Sequence, residues 1–536
     1  MIGAAAIRPR FATLTDMLDR AAQSGHSLYF VDRNENDTEV AFAQIRSDAR
    51  DFAAGLSAAG VHSGDRVALV LPTGPEFVAS FFGVLYAGAV PVPLYPPVRL
   101  GRLDDYRHRT AAMLRAVHAV LVVTEDRIRP LLEGDETRCV TMAELSGPDF
   151  ADSPLVATDL ALIQFSSGTT HDPKPVALTH ANLLHNLAAI ADYFDSAGMP
   201  EQVGVTWLPL YHDMGLIGNL LMAFYLRRPL VLLPPELFLA VPAAWLRAIS
   251  RHRGTVTAAP NFAFGLCLKR IRDEDLAGVD LSSWRLCLNG AELASADVQR
   301  RFSERFGRWG FDSLSFTPVY GLAEASLAVT FKPAGRPFSV VERDNKELVS
   351  TGRPLAGVDV EIRGDDTRPL PEDEVGNIFV RGPSVMAGYF GRADLTGQVL
   401  RGGWLDCGDL GFIHDGELFV CGRSKETVVI RGANHAPQDF EAALDGLAGV
   451  RTGCAVAVSY LPAFADDEAL AMLVETTADA PDGLADDVAA RVLQRTGIAV
   501  GHVELLTPGT LPRTSSGKLR RIEARTQWLA GTLSPC

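Results

Sequence analysis

From Asp65 onward the chain alternates short Val/Leu/Ala runs with stretches of helical period, and this alternation constrains the fold more than any other feature of the sequence. The first unit is a strand over 67–71, a turn at Pro72-Thr73-Gly74, and a helix that opens on Pro75 and closes at Gly88. Proline suits the first helical position because the N–H it lacks would have no helical partner there. Further runs follow at 119–124, 161–165, 204–208, 230–233, 255–259 and 285–288, most of them separated by helix-periodic segments, including one over 179–194. Parallel strands need crossovers of this length, so the pattern predicts an α/β fold with parallel, helix-covered sheets.

After about residue 350 the texture changes to short strands punctuated by Gly, Asp and Pro, at 358–362, 377–381 and 417–420, which predicts a small β-rich subdomain. Beyond Gly422 two helical stretches, 437–447 and 482–496, interleave with strands at 427–430, 455–459 and 469–475. The expected organisation is a large N-terminal domain over 1–422, a hinge at 423–425 centred on Lys425, and a small mobile α+β lid over 426–536. With 536 residues and 47% apolar content the chain can bury large cores. A net charge of -15 argues against a nucleic-acid or anionic-membrane partner and leaves room only for a local basic pocket. The seven cysteines form no CxxC pair and no Cys/His cluster, which predicts reduced thiols in the cytoplasm. No apolar run reaches the length of about 18 residues needed for a membrane span, and the first residues lack the apolar segment of an export signal.

Residues 161–174, ALIQFSSGTTHDPK, are an apolar run followed by small hydroxyl residues around one glycine. Ser166, Ser167, Thr169 and Thr170 bring hydroxyls with little bulk, Gly168 leaves backbone N–H groups accessible, and Lys174 adds a charge for outer phosphates. The spacing is not that of a P-loop NTPase, so the loop is expected to fold over a polyphosphate. Such a cluster also suits an ordinary polar loop. Five other stretches carry candidate chemistry. WLPLYHDMGLIG (207–218) pairs His212 with Asp213, which reads either as a satisfied buried histidine or as a group near a reacting carboxylate. LCLNGAE (286–292) is a strand ending in a glycine turn, and VYGLAEAS (319–326) places Glu324 three residues after Gly321, where it could hold Mg²⁺. DCGDLGF (406–412) puts Asp409 in a tight turn suited to a ribose diol, and LPRTSSGKLRR (511–521) presents Lys518 on a glycine-flanked loop.

In this order these strings, with GRSK at 422–425, resemble the adenylate-forming superfamily of acyl-CoA synthetases, peptide-synthetase adenylation domains and luciferases. GAVPVPLYPP, WLPLYHDMGLIG, TAAPNFAF, LNGAE, VYGLAEAS, GELFVCGR and LPRTSSGKLRR are most similar to the fatty acyl-AMP ligases. The resemblance covers about residues 27–521 and implies ATP and Mg²⁺ as cofactors and a fatty acid as substrate. It further implies that Ser166 to Lys174 bind phosphates, that Asn289, Gly290, Ala291, Glu292, Tyr320 and Gly321 flank the adenine, and that Glu324 ligates the metal. Asp409 and Arg423 would hold the ribose, Lys518 would reach the carboxylate and the ribose, and Lys425 would be the pivot that brings the 432–441 face to the adenylate. Phe262, Phe264 and Leu266 are expected to wall an apolar acyl pocket. The acceptor implied is an acyl carrier protein, with free CoA as the alternative and a non-catalytic nucleotide-binding homologue as a third reading. The chain departs from the family pattern at His171, Pro175 and Ala436, and the interval 326–350 is too short for the insertion usual in acyl-AMP ligases.

Overall fold

The computed structural model describes residues 1–97, 103–132, 137–148, 153–166, 174–199, 201–343, 346–423, 426, 428–430, 433–462, 468–514 and 518–536. Its contacts divide the chain into two units, the second taking in Gly408–Gly411 and Cys421–Cys536. The fold is α/β, with a large N-terminal sheet domain and a smaller C-terminal one.

In the large unit, a sheet of parallel strands runs Val90–Pro93, Arg66–Val70, Ala119–Thr124, Arg138–Val140. The expected strand at 119–124 is found with those bounds, and the helix opened by Pro75 runs Pro75–Tyr86. The antiparallel pair β1 (Leu160–Phe165) and β2 (Pro175–Thr179) forms a separate hairpin, which leads into α1 (His180–Ser196). Thr179 caps that helix reciprocally: its hydroxyl accepts the Asn182 N–H at 3.1 Å, and the Asn182 side chain accepts the Thr179 N–H at 3.0 Å.

The long sheet has a parallel centre. Ser27–Val31, Leu230–Leu232, Gly204–Thr206, β3 (Val256–Ala259), β4 (Leu286–Asn289) and β5 (Phe316–Gly321) pair in that order. At β5 the direction reverses, because β6 (Ala328–Phe331) pairs with it antiparallel after a tight turn. The strands of the expected β-rich subdomain continue this sheet through Lys346–Pro354, Glu417–Arg423, Trp404–His414, Gly376–Arg381 and Asp359–Arg363. A short strand, β7 (Gly388–Tyr389), pairs with β2. Helices cover the parallel centre through an aromatic core: Trp245 meets Trp284 at 5.2 Å and Phe264 at 6.0 Å, and Phe264 meets Phe316 at 5.0 Å. The first and last of these are edge-on, and such pairs contribute about 0.5–1.5 kcal/mol each beyond the area they bury.

The small unit is α+β. Its sheet pairs Val450–Tyr460 antiparallel with Ala469–Thr476, which pairs parallel with Val500–Leu506. One face buries Met472 and Val474 against Phe440, Leu484, Val488 and Val492; the other buries Ala471 and Leu473 with Leu511 and Ala524.

One buried group in the first turn of α1 ties stability to pH. His180 is fully buried, and its Nδ1 accepts the Leu14 N–H at 3.1 Å, so the ring is held neutral. Burial pushes its pKa down to about 4, with nearby Asp159 opposing. The unfolded chain, with an ordinary histidine near 6.5, therefore takes up a proton that the folded chain refuses. The stabilisation is complete above pH 6.5 and is lost as the pH falls toward 4. Urea unfolding across that window should show a loss of up to about 3 kcal/mol that His180→Asn lacks. An equal acid slope in the variant would contradict this assignment.

Candidate active site

The β1–β2 hairpin places the first and the last of the expected phosphate-binding residues, Ser166 and Lys174. Phe165 pairs with Pro175, and the Ser166 N–H donates to the Lys174 carbonyl at 3.1 Å, so both residues stand at the base of the hairpin. The sequence predicts a loop running on toward a helix; instead, Lys174 opens a return strand whose first residue, Pro175, tolerates the position because strand starts need no donor. Ser167, Gly168, Thr169, Thr170 and His171 lie outside the described residues.

Across β2 lies β7, registered Gly388 to Ala177 and Tyr389 to Val176 and extended by Ala387 N–H to the Ala177 carbonyl (3.1 Å) and Phe390 N–H to the Pro175 carbonyl (2.8 Å). This splint carries Tyr389, which is 5% exposed. Its hydroxyl donates to Glu324 Oε1 at 2.9 Å, and the Lys174 ammonium lies 5.2 Å from its ring centroid. The Met386 N–H donates to the Glu324 carbonyl at 2.8 Å, so the same segment holds the backbone of the acidic residue as well.

Glu324 lies in the turn between β5 and β6. The register slips between Tyr320 and Gly321, and a Cβ at Gly321 would fall 1.8 Å from the Leu327 carbonyl oxygen, so only glycine fits. Ser326 closes the turn at φ +67°, its hydroxyl donating to the Ser384 carbonyl at 2.7 Å. The half-buried Glu324 fits a divalent cation: one oxygen is held by Tyr389, and the other accepts no hydrogen bond among the described residues. Those residues contain no cluster of three or more His, Cys, Asp or Glu side chains suited to a metal. An ion here would complete its shell with phosphate and water oxygens, as Mg²⁺ does.

Asn289 ends β4, 1% exposed, and its amide donates to Asn261 Oδ1 at 3.3 Å while its own Oδ1 has no partner among the described residues. Such an orphaned buried acceptor suits a donor on a ligand, and an adenine amino group is one. Gly290 packs against β5, since a Cβ there would meet Val319 Cγ2 at 2.6 Å. Ala291 sits at φ +68°, and the Glu292 carboxylate accepts the N–H of Phe262 at the start of the helix Asn261–Arg270. Glu292 thus anchors a helix N-terminus, a role its sequence position did not disclose.

His212 Nδ1 and Asp213 Oδ1 are 2.6 Å apart and both largely buried, and Asp213 Oδ1 also accepts the Met214 N–H at 2.7 Å. Gln164 on β1 donates to the Tyr211 carbonyl at 2.7 Å, and Gly218 packs against Leu327 of the Glu324 turn. The hairpin, the His212 segment and the Glu324 turn are therefore neighbours. Of the expected acyl wall, Phe262 is 38% exposed and meets Trp207 edge-on at 6.0 Å, while Phe264 is buried in the aromatic core. Phe264 fails as a wall residue because its helix faces Trp245 and Phe302.

In the small unit Asp409 sits within the strand Trp404–His414, not in a tight turn, because Gly408 at φ +69° kinks the strand without ending it. Arg423 Nε lies 3.4 Å from Asp409 Oδ1. Lys518 stands at the base of a hairpin: the Thr514 N–H donates to its carbonyl at 2.7 Å, and its N–H donates to Thr514 Oγ1 at 3.0 Å. The following helix, Arg521–Leu529, is pinned by Arg521, which bridges both oxygens of Glu441 at 2.7 Å and Glu426 at 2.8 Å. Burial alone would lower the pKa of that guanidinium, but the two carboxylates hold it above the ordinary arginine range. Lys425 lies outside the described residues.

Sequence reasoning missed Tyr389, Gln164 and Asn261. Residues 18–390 match the model of the AMP-binding enzyme family. A Caulobacter vibrioides protein provisionally named an acyl-CoA synthetase is 34% identical, over 97% of this chain and 96% of its own length. The medium-chain-fatty-acid–[acyl-carrier-protein] ligase JamA of Moorena producens is 32% identical, over 98% and 96%. A solved structure from work on the fatty acyl-adenylate ligases of E. coli and L. pneumophila superposes with a TM-score of 0.91 at 34% identity, over 97% of this chain and 98% of that one.

Proposed function

The chain belongs to the AMP-binding enzyme family and is an adenylate-forming ligase that activates fatty acids, and from that premise we propose that it joins a medium- or long-chain acid to AMP and delivers the acyl group to the phosphopantetheine thiol of an acyl carrier protein in the cytoplasm. The observation that carries the first step is the meeting of Lys174, Tyr389 and Glu324, which puts a cation and a metal-competent carboxylate beside one hairpin.

A carboxylate oxygen attacks the α-phosphorus of ATP; the new P–O bond forms as the bond to the β-phosphate oxygen breaks, and pyrophosphate leaves with that electron pair. Lys174 and the loop begun by Ser166 (Ser167, Gly168, Thr169, Thr170) hold the departing phosphates. Asn289, Gly290, Ala291, Glu292, Tyr320 and Gly321 flank the adenine, and Asp409 with Arg423 takes the ribose. When bound at Glu324, Mg²⁺ would neutralise phosphate charge. His212, with its Nδ1 held by Asp213, stands for the carboxylate side, and Lys518 meets the charge that builds as carboxylate and phosphorus join. Chemistry of this kind is catalysed by positioning and charge, with no covalent step on the protein. Rotation about Lys425 would then remove Lys518 and admit the thiol, which displaces AMP from the acyl carbon.

The relative JamA is named for a carrier-protein acceptor, and the chain follows the acyl-AMP ligase pattern at HDMG, at Ala323 and at NHAPQD. One observation favours free CoA as a second reading: Phe331 and Val340 bound the interval between successive strands, so no insertion is lodged there to restrain domain rotation.

Two outcomes test the proposal. Lys518→Ala should lower pyrophosphate release by a factor of roughly 10² to 10³ while leaving transfer from supplied acyl-adenylate intact; near-normal release would remove Lys518 from the mechanism. In parallel assays with one acid, holo-carrier protein should be acylated faster than CoA at equal concentration. Equal rates would favour the CoA reading.

A further inference from the structure

The mechanism asks for two opposite charges on the same polyphosphate, a lysine for its oxygens and a carboxylate for the ion that bridges them. Left in contact in a half-buried site, an ammonium and a carboxylate would pair and neutralise each other, and ATP would have to break that pair before it could use either. The structure solves this with one side chain. The face of the Tyr389 ring takes the Lys174 ammonium at 5.2 Å, while its hydroxyl, at the far end of the ring, donates to Glu324 Oε1 at 2.9 Å. Glu324 makes no ion pair among the described residues.

Tyr389 is itself fixed from several sides. It is 5% exposed, its N–H donates to Thr396 Oγ1 at 2.9 Å, and β7 on which it sits is zipped to β2, the strand that Lys174 precedes. Gly388 before it adopts φ +148°, and a Cβ there would meet the Thr396 side chain at 2.9 Å. Its neighbour Met386 holds the Glu324 backbone. The splint thus ties the phosphate hairpin to the acidic turn, and the tyrosine contacts the charged group of each.

We propose that Tyr389 is the positioning residue of the metal–phosphate site: its hydroxyl aims the Glu324 carboxylate so that one oxygen stays available to a divalent cation, and its ring holds Lys174 apart from that carboxylate until phosphate arrives. The inference rests on the adenylation reading of the site. The two ends of the ring make separable predictions. Tyr389→Phe removes the hydroxyl and keeps the ring, so the cation site weakens while the lysine stays poised. Tyr389→Leu removes both.

The test is Mn²⁺ binding to wild type and to both variants, read by electron paramagnetic resonance in the presence of a non-hydrolysable ATP analogue, alongside Mg²⁺ titration of pyrophosphate release. Loss of a hydrogen bond to a charged group is expected to raise the Mn²⁺ dissociation constant and the half-saturating Mg²⁺ of Tyr389→Phe about tenfold. Saturating Mg²⁺ should restore its turnover to within about twofold, and its melting temperature should match wild type. Tyr389→Leu should add a rise of about fivefold in the apparent KM for ATP, the loss of the ring–ammonium contact. Wild-type metal dependence in Tyr389→Phe, or a defect that excess Mg²⁺ does not rescue, would overturn the proposal, and Tyr389→Phe keeps it falsifiable should the leucine variant fail to fold. Wild type that binds Mn²⁺ with nucleotide but releases no pyrophosphate with any acid would sink the adenylation reading and leave the role of Tyr389 in cation binding to be judged by the binding data; absence of Mn²⁺ binding in wild type would sink the inference itself.

Discussion

The reversal of strand direction at Gly321 is the constraint on which the large unit turns. Up to β5 the sheet is parallel, and each strand must be fed by a crossover; after it, β6 returns antiparallel within a few residues. The return is so tight that a Cβ at Gly321 would lie 1.8 Å from the Leu327 carbonyl oxygen, and it is closed by Ser326 in a left-handed conformation. Glu324 stands half-buried in this turn. Open α/β sheets bind ligands where their regular topology breaks, since there alone the strand ends diverge and leave polar backbone accessible. Within the large unit three further pieces meet at or beside this turn: the hairpin through Tyr389, the His212 segment through Gly218 against Leu327, and the β4 turn through Gly290 against Val319.

Electrostatics follows a related logic. The chain carries a net charge of -15, so a polyanion must be met by local cations that the surrounding acids do not quench. Lys174 is poised over an aromatic face, which attracts an ammonium without neutralising it. In the small unit the opposite device appears: Arg521 is buried between Glu441 and Glu426 and serves to fix the helix behind the Lys518 hairpin. One cation lies over an aromatic ring and the other is held between two carboxylates.

The parallel strands were legible because buried strands are short apolar runs bounded by polar segments, and 119–124 and 161–165 have that form. The β2 strand was not, since Pro175 reads as a breaker and three apolar residues are too few to declare a strand; its partners on β7 are more than two hundred residues away. Asp409 was misplaced because a glycine beside an aspartate has the composition of a turn, whereas here Gly408 only kinks a long strand. The motif residues Glu324, Lys174 and His212 could be read from local strings. Tyr389 could not, because its bond to Glu324 spans 65 residues and a tyrosine in MAGYF has no local signature of a polar contact. Arg521, likewise, has no local signature of its two carboxylates, because Glu441 and Glu426 lie 80 and 95 residues away.

The central claim is that this site joins a carboxylate oxygen to the α-phosphorus of ATP. A fatty acid labelled in its carboxylate with heavy oxygen tests it directly, with mass spectrometry of the AMP recovered after a complete turnover. The account predicts that one labelled oxygen passes to AMP and none to pyrophosphate. Label in a phosphate other than that of AMP, or unlabelled AMP after full consumption of the acid, would contradict it.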